Sequence, residues 1–260
     1  MLGAIIGDIA GSKFEFNPTN DYNFDMFGPG HDFTDDTICT VAVADAILRG
    51  RDYGKSIHEW CRAYPHPKGS YGGRFHLWVN SDRPAPYGSF GNGSAMRVSA
   101  VGWAFDDELT VMAEAARSAE CTHNHPEGIK GAQAVALAIL LARKGRSKEV
   151  ILSTISDTFG YSTDIDLHSV RNRFDETCQG TVPVAFSIIA RSRSFEDAVR
   201  RAVSLGADAD TLGAITGSIA QPIWGIPAWM SAEVQSYLPP AMQRVVSDFE
   251  TSLSTHKTRI

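Results

Sequence analysis

Residues 126–145 read PEGIKGAQAVALAILLARKG, and this stretch decides the fold class. Pro126 suits the first turn of a helix, and Gly145 suits the position just past its end. The apolar run from Ala132 to Ala142 is too short to span a bilayer. We therefore predict a helix of a globular, all-α protein and no membrane-spanning segment.

The same helical pattern recurs on both sides of this stretch. Further helices are predicted from Ile38 to Leu48, amphipathic and ending at Gly50; from Asp106 to Ala119, with a capping aspartate; and after the capping-box pattern of Ser194 and Asp197. Convincing strand alternation is scarce. We expect a single all-α domain over residues 1–260.

The amino-acid composition argues against several classes of protein. The chain has 260 residues, a formal net charge of -6 and no dense Lys/Arg run, so no phosphate-backbone binder of the usual electrostatic kind is indicated. A modified nucleic acid stays open as a substrate. The four cysteines form no CxxC pair, which argues against zinc ribbons and thioredoxin-like motifs. The first residues lack the leading positive charge of a secretory signal, and a cytoplasmic location is predicted.

Glycines recur at fourfold spacing in two segments. They are Gly3, Gly7 and Gly11 in one and Gly213 and Gly217 in the other. Because glycine has no Cβ, such faces allow two backbones to approach closely, and we predict tight helix packing in the core. Two stretches poor in regular structure, 15–33 and 64–93, are predicted to be functional loops, since loops of this length in compact domains often are.

Two acidic motifs each stand where a loop enters a helix. Residues 34–36 read Thr-Asp-Asp, and residues 208–211 read Asp-Ala-Asp-Thr. Helix capping explains either motif alone. Hydroxyl and carboxylate oxygens are also the ligands that hard divalent cations prefer. Four carboxylates brought together would repel unless cations neutralised them, and two divalent ions would do so.

Two further motifs are candidates for ligand binding. The Gly-Asn-Gly sequence at 91–93 precedes a helix, where backbone N–H groups bind phosphate, although a plain turn has the same sequence pattern. The spacing of His123 and His125 fits zinc, but no cysteine is near. A histidine that contacts a ligand, or one that caps the following helix, is the preferred interpretation.

Taken together and in order, these motifs resemble the ADP-ribosylglycohydrolase family, relatives of dinitrogenase-reductase-activating glycohydrolase. The resemblance covers nearly the whole chain. It runs through GAIIGDIAGSKFE (3–15), TDDT (34–37), FGNGSAMR (90–97), THNHPEG (122–128), CQGTVP (178–183) and DADTLGAITGSIAQPIWG (208–225). It implies an orthogonal helical bundle with two Mg²⁺ or Mn²⁺ ions in a central cleft. It also implies release of ADP-ribose from a modified protein or other conjugate by cleavage at C1″.

The resemblance also implies residue roles. The metal ligands would be Thr34, Asp35, Asp36, Asp208, Asp210 and Thr211; the substrate-binding residues would be Phe90, Gly91, Asn92, Gly93, Ser94, Met96 and His123. Asp36 or Asp35 is expected to take the proton of the attacking water, and Glu15, on a loop near the metals, is the second candidate acid or base. Ala207 and Ala209 replace residues that many members carry as glycine and a hydroxyl residue, with a modest effect expected on metal affinity.

The leaving group stays open. Arginine, serine, a nucleic acid or a small molecule would each fit, and Asp21, Asp25 and Asp32 mildly favour arginine because a guanidinium pairs with carboxylates. One alternative is a non-catalytic ADP-ribose binder or a crystallin-like structural protein on the same scaffold. Another is a metal-dependent phosphoesterase.

Overall fold

The computed structural model describes residues 1–257, so the last three residues of the predicted 1–260 domain lie outside it. The helices are α1 Leu2–Gly11, α2 Asp35–Leu48, α3 Tyr53–Ala63, α4 Gly73–Val79, α5 Gly93–Met96, α6 Ser99–Ala104, α7 Glu108–Glu120, α8 Pro126–Arg143, α9 Lys148–Phe159, α10 Leu167–Val170, α11 Cys178–Arg191, α12 Phe195–Val203, α13 Ala209–Trp224, α14 Ala228–Val234 and α15 Pro240–Lys257. A 3-10 turn joins α14 to α15. Within 1–257 the sheet-like pairings are two isolated bridges. The prediction of an all-α fold is confirmed.

Helix α8 has the predicted ends. Pro126 stands in its first turn, and the side chain of His125 accepts the N–H of Glu127. Gly145 follows the helix with a φ of 73°, which favours glycine. The helix is buried from Ala134 to Ala142 and lies among α6, α7 and α13. No described helix is long and apolar enough to cross a membrane.

Helices α1 and α13 pack against each other along their glycine faces. A Cβ built on Gly7 would overlap the carbonyl group of Gly213, and one built on Gly3 would overlap that of Gly217. The contacts run in opposite directions along the two helices, so the pair is antiparallel. The predicted close packing is confirmed, and it depends on the absence of side chains at these positions.

The predicted helix from Ile38 lies within α2, but the prediction that it is amphipathic is wrong. Every residue of α2 from Asp36 to Ala46 is buried. The physical reason is that α1, α3, α6 and α15 all pack against it, so it has no solvent-facing side along most of its length.

The predicted start of α7 is displaced by one residue. Asp107, not Asp106, caps the helix, because its carboxylate accepts the N–H of Thr110 at 2.8 Å. Asp106 instead pairs with Arg143 of α8 at 3.0 Å. The cap of α12 is Ser194, as predicted, and it accepts the N–H of Asp197.

Of the two predicted loops, 15–33 has no helix and 64–93 contains one. Helix α4 occurs inside the second stretch because Phe75, Trp78 and Val79 bury apolar side chains there. Its Phe75 and Trp78 rings stack with centroids 5.5 Å apart. This short helix forms part of the wall of the cleft described next.

Candidate functional site

The antiparallel packing of α1 and α13 brings the end of one helix beside the start of the other. Gly11 contacts the backbone of Ala209. The chain leaving α1 then carries Glu15 towards Asp210. Burial, followed by the negative charges of Asp210 and Asp8, raises the pKa of Glu15 to about 8.

Asp8, a buried acid in the middle of α1, ties that helix to the start of α2. Its Oδ1 accepts the hydroxyl of Thr34 at 2.8 Å. Its Oδ2 accepts the backbone N–H groups of Thr34 and Thr37, each at 3.0 Å, and the hydroxyl of Thr37. The Thr34 hydroxyl oxygen in turn caps α2 by accepting the N–H of Asp36. Asp8 therefore orients the helix start that carries Asp35 and Asp36.

Sequence reasoning assigned no role to Asp8. The available signal was a lone carboxylate inside an otherwise apolar helix, because a buried acid without partners is costly. Burial raises the pKa of Asp8 to about 6 although its four hydrogen bonds lower it.

The two acidic motifs meet at a cleft of about 300 Å³. The predicted site residues that line it are Glu15, Asp35, Asp36, Gly91, Asn92, Gly93, Met96, His123, Asp208, Asp210 and Thr211. Residues that line it without having been predicted include Arg74, Tyr87, Arg97 and Glu176. Motifs some 170 residues apart in the chain are thus brought to one wall.

The carboxylates of this wall raise one another's pKa. For Asp36 the main cause is burial, followed by the charges of Asp210 and Asp8. Asp35 and Asp210 shift in the same direction, again mainly because of burial. Thr211, the last residue of the second motif, links the two motifs, because its hydroxyl donates to Asp36 Oδ1 at 3.4 Å. Such a group carries negative charge stably only if cations are near.

The donor set fits hard divalent cations. Every candidate ligand atom is oxygen, and the buried Oδ2 of Asp36 has no hydrogen-bond partner. Among residues 1–257, no three His, Cys, Asp or Glu side chains stand in a ready coordination geometry. The acidic side chains therefore share the cleft without forming a closed cage of their own.

Asn92 joins the Gly-Asn-Gly loop to the second acidic motif. Its amide donates to Asp208 Oδ2 at 2.7 Å and to the hydroxyl of Thr181 at 3.1 Å. Its backbone N–H donates to the carbonyl of Glu176 at 2.6 Å. Burial raises the pKa of Asp208 to about 7, and the hydrogen bond from Asn92 acts against that rise. The loop and the carboxylate wall are held as one unit.

His123 faces the same loop from the other side. A Cβ on Gly93 would lie 3.1 Å from its Nε2, which places that nitrogen against the loop backbone. Its Nδ1 lies 2.7 Å from the hydroxyl of Thr122, and that hydroxyl accepts from Arg97 at 2.8 Å. Burial holds the pKa of His123 well below its usual range, and the charge of Arg97 adds to the effect. A neutral imidazole is thereby presented to the cleft.

Comparison with known proteins adds to this geometry. The sequence profile described as ADP-ribosylglycohydrolase matches residues 1–253. The chain belongs to the ADP-ribosylglycohydrolase family. The resemblance noted from the motifs is confirmed, and the protein is a hydrolase of this family.

Individual relatives match this chain over different lengths. This chain is 27% identical over 266 residues to the ADP-ribosylarginine hydrolase Tri1 of Pseudomonas putida (strain GB-1), covering 88% of this chain and 72% of that one. It is 29% identical over 180 residues to the ADP-ribosylhydrolase ARH3 of Homo sapiens, covering 56% of this chain and 50% of that one. A solved structure titled "ADP-ribosylglycohydrolase-related protein complex" matches with a TM-score of 0.74 at 23% identity, over 100% and 96% of the two chains. That last likeness shows the fold.

Three residues assigned from the family pattern lie outside the cleft lining. Thr34 directs its hydroxyl to Asp8, and Ser94 directs its hydroxyl to the carbonyl of Gly128 at 2.7 Å. Phe90 is 42% exposed, and its ring packs against His125. Each stands beside a residue that lines the cleft.

The acidic residues expected to favour arginine are also outside the lining. Asp21 accepts the N–H of Asn23, and Asp32 accepts the N–H of Phe33, so both serve their own loop. Asp25 does not line the cleft either. The glutamates that line the cleft are Glu15 and Glu176.

Proposed function

We propose that this protein hydrolyses the bond between C1″ of ADP-ribose and an arginine side chain, with the help of two Mg²⁺ or Mn²⁺ ions. The observation that carries the proposal is the meeting of both acidic motifs with Glu15 in one cleft that the Gly-Asn-Gly loop and His123 also line. The first set suits the reacting ribose, and the second suits the rest of ADP-ribose.

Two observations support arginine as the leaving group. One relative, named as an ADP-ribosylarginine hydrolase, aligns over 88% of this chain at 27% identity. The cleft is also lined by two glutamates, which suit a guanidinium. Serine, nucleic-acid and small-molecule conjugates are the alternatives that the assay must separate.

Oxygen donors on both acidic motifs would hold the ions. They are Thr34, Asp35, Asp36, Asp208, Asp210 and Thr211. When bound, divalent cations would fix the ribose hydroxyls and offset the negative charge of the wall. The neighbouring side chains then do the positioning, since Asp8 fixes the start of α2 and Asn92 fixes Asp208.

The reaction consumes one water. The C1″–N bond breaks with oxocarbenium character at C1″, and the water oxygen bonds to C1″. Asp36, or its neighbour Asp35, takes the proton of the water, and the departing guanidine gains a proton to leave as a guanidinium ion. Glu15 lies beside Asp210 and is the second candidate to take the proton of the water or to give one to the departing guanidine.

The loop at 91–93 would hold the diphosphate of ADP-ribose. Backbone N–H groups at a helix start bind anions, and α5 begins at Gly93, whereas the N–H groups of Gly91 and Asn92 already donate to Ser89 and Glu176. A neutral His123 can donate one hydrogen bond there without bringing a competing charge. Met96 adds a buried apolar contact beneath the loop.

The test is release of ADP-ribose from an ADP-ribosylarginine peptide with Mg²⁺ or Mn²⁺, with and without EDTA. The expected result is metal-dependent release of free ADP-ribose. Release of AMP instead would identify a phosphoesterase. Tight binding of ADP-ribose with no turnover of any conjugate would identify a binding protein. Cleavage restricted to serine or nucleic-acid conjugates would retain the hydrolase and remove arginine.

A matched pair of variants tests the residue assignment. Asp36→Asn should lower kcat by at least about a thousandfold, because the variant loses both a cation ligand and the base. Asp32→Asn, on the exposed loop just before the motif, should leave kcat unchanged. Near-normal turnover by the Asp36 variant would remove Asp36 from the mechanism.

A further inference from the structure

Two phenylalanine rings from separate loops stack on each other in solvent. Phe16 is 72% exposed and Phe174 is 48% exposed, and their centroids lie 6.3 Å apart with an interplanar angle of 27°. Single exposed apolar residues are common in proteins. A stacked pair is different, because it presents a flat aromatic surface of the kind that binds planar groups.

The pair is close in sequence to residues that line the cleft. Phe16 directly follows Glu15, and Phe174 precedes Glu176 by two residues; both glutamates line the cleft. Glu15 lies beside Asp210, and the carbonyl of Glu176 accepts the N–H of Asn92, so the two rings flank the region where the acidic side chains meet the Gly-Asn-Gly loop.

The two loops are held together without the rings. The side-chain amide of Asn20 donates to the side chain of Asn172 at 3.0 Å and to the carbonyl of Ser204 at 3.0 Å. The backbone N–H of Asn172 donates to the carbonyl of Leu205 at 3.0 Å. Since these bonds fix the loops, the exposed rings are free to serve a ligand.

An acidic side chain two residues from Phe174 is without an ion-pair partner among the described residues. Asp175 is already engaged, because its carboxylate accepts both the N–H and the hydroxyl of Thr177. Glu15 lies near the positive charge of Lys68. The carboxylate of Glu176 is exposed and makes no ion pair with any described residue.

We propose that Phe16, Phe174 and Glu176 form the subsite for the leaving group and that its ligand is the guanidinium of an arginine side chain. This inference rests on the proposed function. A guanidinium is planar and weakly hydrated, so it stacks on aromatic rings and pairs with a carboxylate at the same time. A serine side chain offers neither interaction, which makes these three residues the source of selectivity.

The experiment compares three substrates with wild type and variants in the metal-loaded enzyme. The substrates are an ADP-ribosylarginine peptide, an ADP-ribosylserine peptide and ADP-ribose 1″-phosphate, which has a small leaving group without a cation. The variants are Phe16→Leu with Phe174→Leu, and separately Glu176→Gln. For the arginine substrate, each should lower kcat/KM about tenfold or more, chiefly through KM. For ADP-ribose 1″-phosphate, kcat/KM should change less than about twofold.

Trp229→Leu is the control, because Trp229 is another half-exposed aromatic residue but packs against Phe27 away from the cleft. It should leave all three substrates unaffected. Equal losses on every substrate in the phenylalanine double variant would overturn the subsite and assign the rings to support of the Glu15 loop. Unchanged arginine kinetics in both variants would overturn it as well, while the proposed function stands. A wild type that cleaves only the other substrates would overturn the subsite together with the arginine assignment.

Discussion

Asp8 is a buried carboxylate with every hydrogen-bonding position towards α2 in use. In Asp8→Asn, an NH₂ group replaces one of the two oxygens that accept these hydrogen bonds, and it faces N–H and O–H donors that it cannot accept. We expect a loss of about 2 to 4 kcal/mol in the free energy of unfolding, because buried donors are left unsatisfied. We also expect an affinity for Mn²⁺ about tenfold weaker, because Asp35 and Asp36 lose their fixed orientation.

Asp45→Asn is the control for this prediction. Asp45 is a buried acid on α2, the helix that carries Asp35 and Asp36; it is bonded to Arg49 at 2.9 Å and to Trp60 at 2.8 Å, and it does not line the cleft. It should lower stability and leave the affinity for Mn²⁺ intact. Free Mn²⁺ followed by electron paramagnetic resonance measures the affinity, and urea unfolding measures the stability. Equal Mn²⁺ affinities in wild type and the Asp8 variant would refute the positioning role.

His123 is expected to be neutral with the hydrogen on Nε2. Arg97 can only donate to Thr122, so the Thr122 hydroxyl hydrogen finds its acceptor in Nδ1 of His123. Nitrogen-15 NMR of the imidazole should show this tautomer from pH 8 down past 6.5, the usual histidine pKa, because burial lowers the pKa of His123. Thr122→Val should change the tautomer ratio and weaken ADP-ribose binding, and Thr122→Ser should restore both. A protonated His123 at pH 6.5 would contradict the prediction.

The residues that sequence reasoning found and those that it missed differ in kind. Asp36 and Asp210 stand in motifs with a recognisable pattern, so they could be named from the chain alone. Asp8 and Glu176 carry no such pattern. Their importance comes from neighbours far along the chain, which only the folded molecule brings to them.

At the scale of elements, the antiparallel pair α1 and α13 holds the site together. Gly7→Ala would place a methyl group on the carbonyl of Gly213 and force the helices apart. We expect a loss of about 3 kcal/mol or more in the free energy of unfolding. The added methyl group would meet backbone atoms, and these cannot move aside as a flexible side chain could. Urea unfolding measures the loss.

Gly73→Ala serves as the comparison, because nothing lies within 4 Å of a Cβ there. That variant should stay within about 1 kcal/mol of wild type. If the two alanine variants were equally stable, close packing of α1 on α13 would not be what the glycines provide.

The ends of several helices could be predicted from the sequence, but the elements that pack against each helix could not. Pro126, Gly145 and Ser194 mark helix ends through local chemistry, so these boundaries could be named in advance. The burial of α2 on nearly all sides depends on four other helices, and no local pattern reports them. The short helix α4 was missed for a similar reason, since its aromatic residues are ordered by burial within a Gly/Pro-rich stretch.

At the scale of the whole molecule, divalent cations should stabilise the fold. Crowded carboxylates repel each other, and cations that bind the folded chain relieve that repulsion. With Mn²⁺ at a hundred times its dissociation constant, the gain should be about 2.7 kcal/mol. Thermal unfolding with Mn²⁺ or with EDTA measures it as a rise of several degrees in Tm. Asp210→Asn should remove most of the rise, and a Tm insensitive to Mn²⁺ in the wild type would count against the site.

The pairing of Gly7 with Gly213 also governs when this protein becomes active during its synthesis. The two glycines are about two hundred residues apart, so a ribosome takes on the order of 10 to 40 seconds to travel from one to the other. Until then α1, every residue of which is buried in the finished protein, lacks its main packing partner, and Glu15 has no Asp210 beside it. The growing chain therefore lacks part of the acidic cleft, and hydrolysis can begin only once α13 has been made.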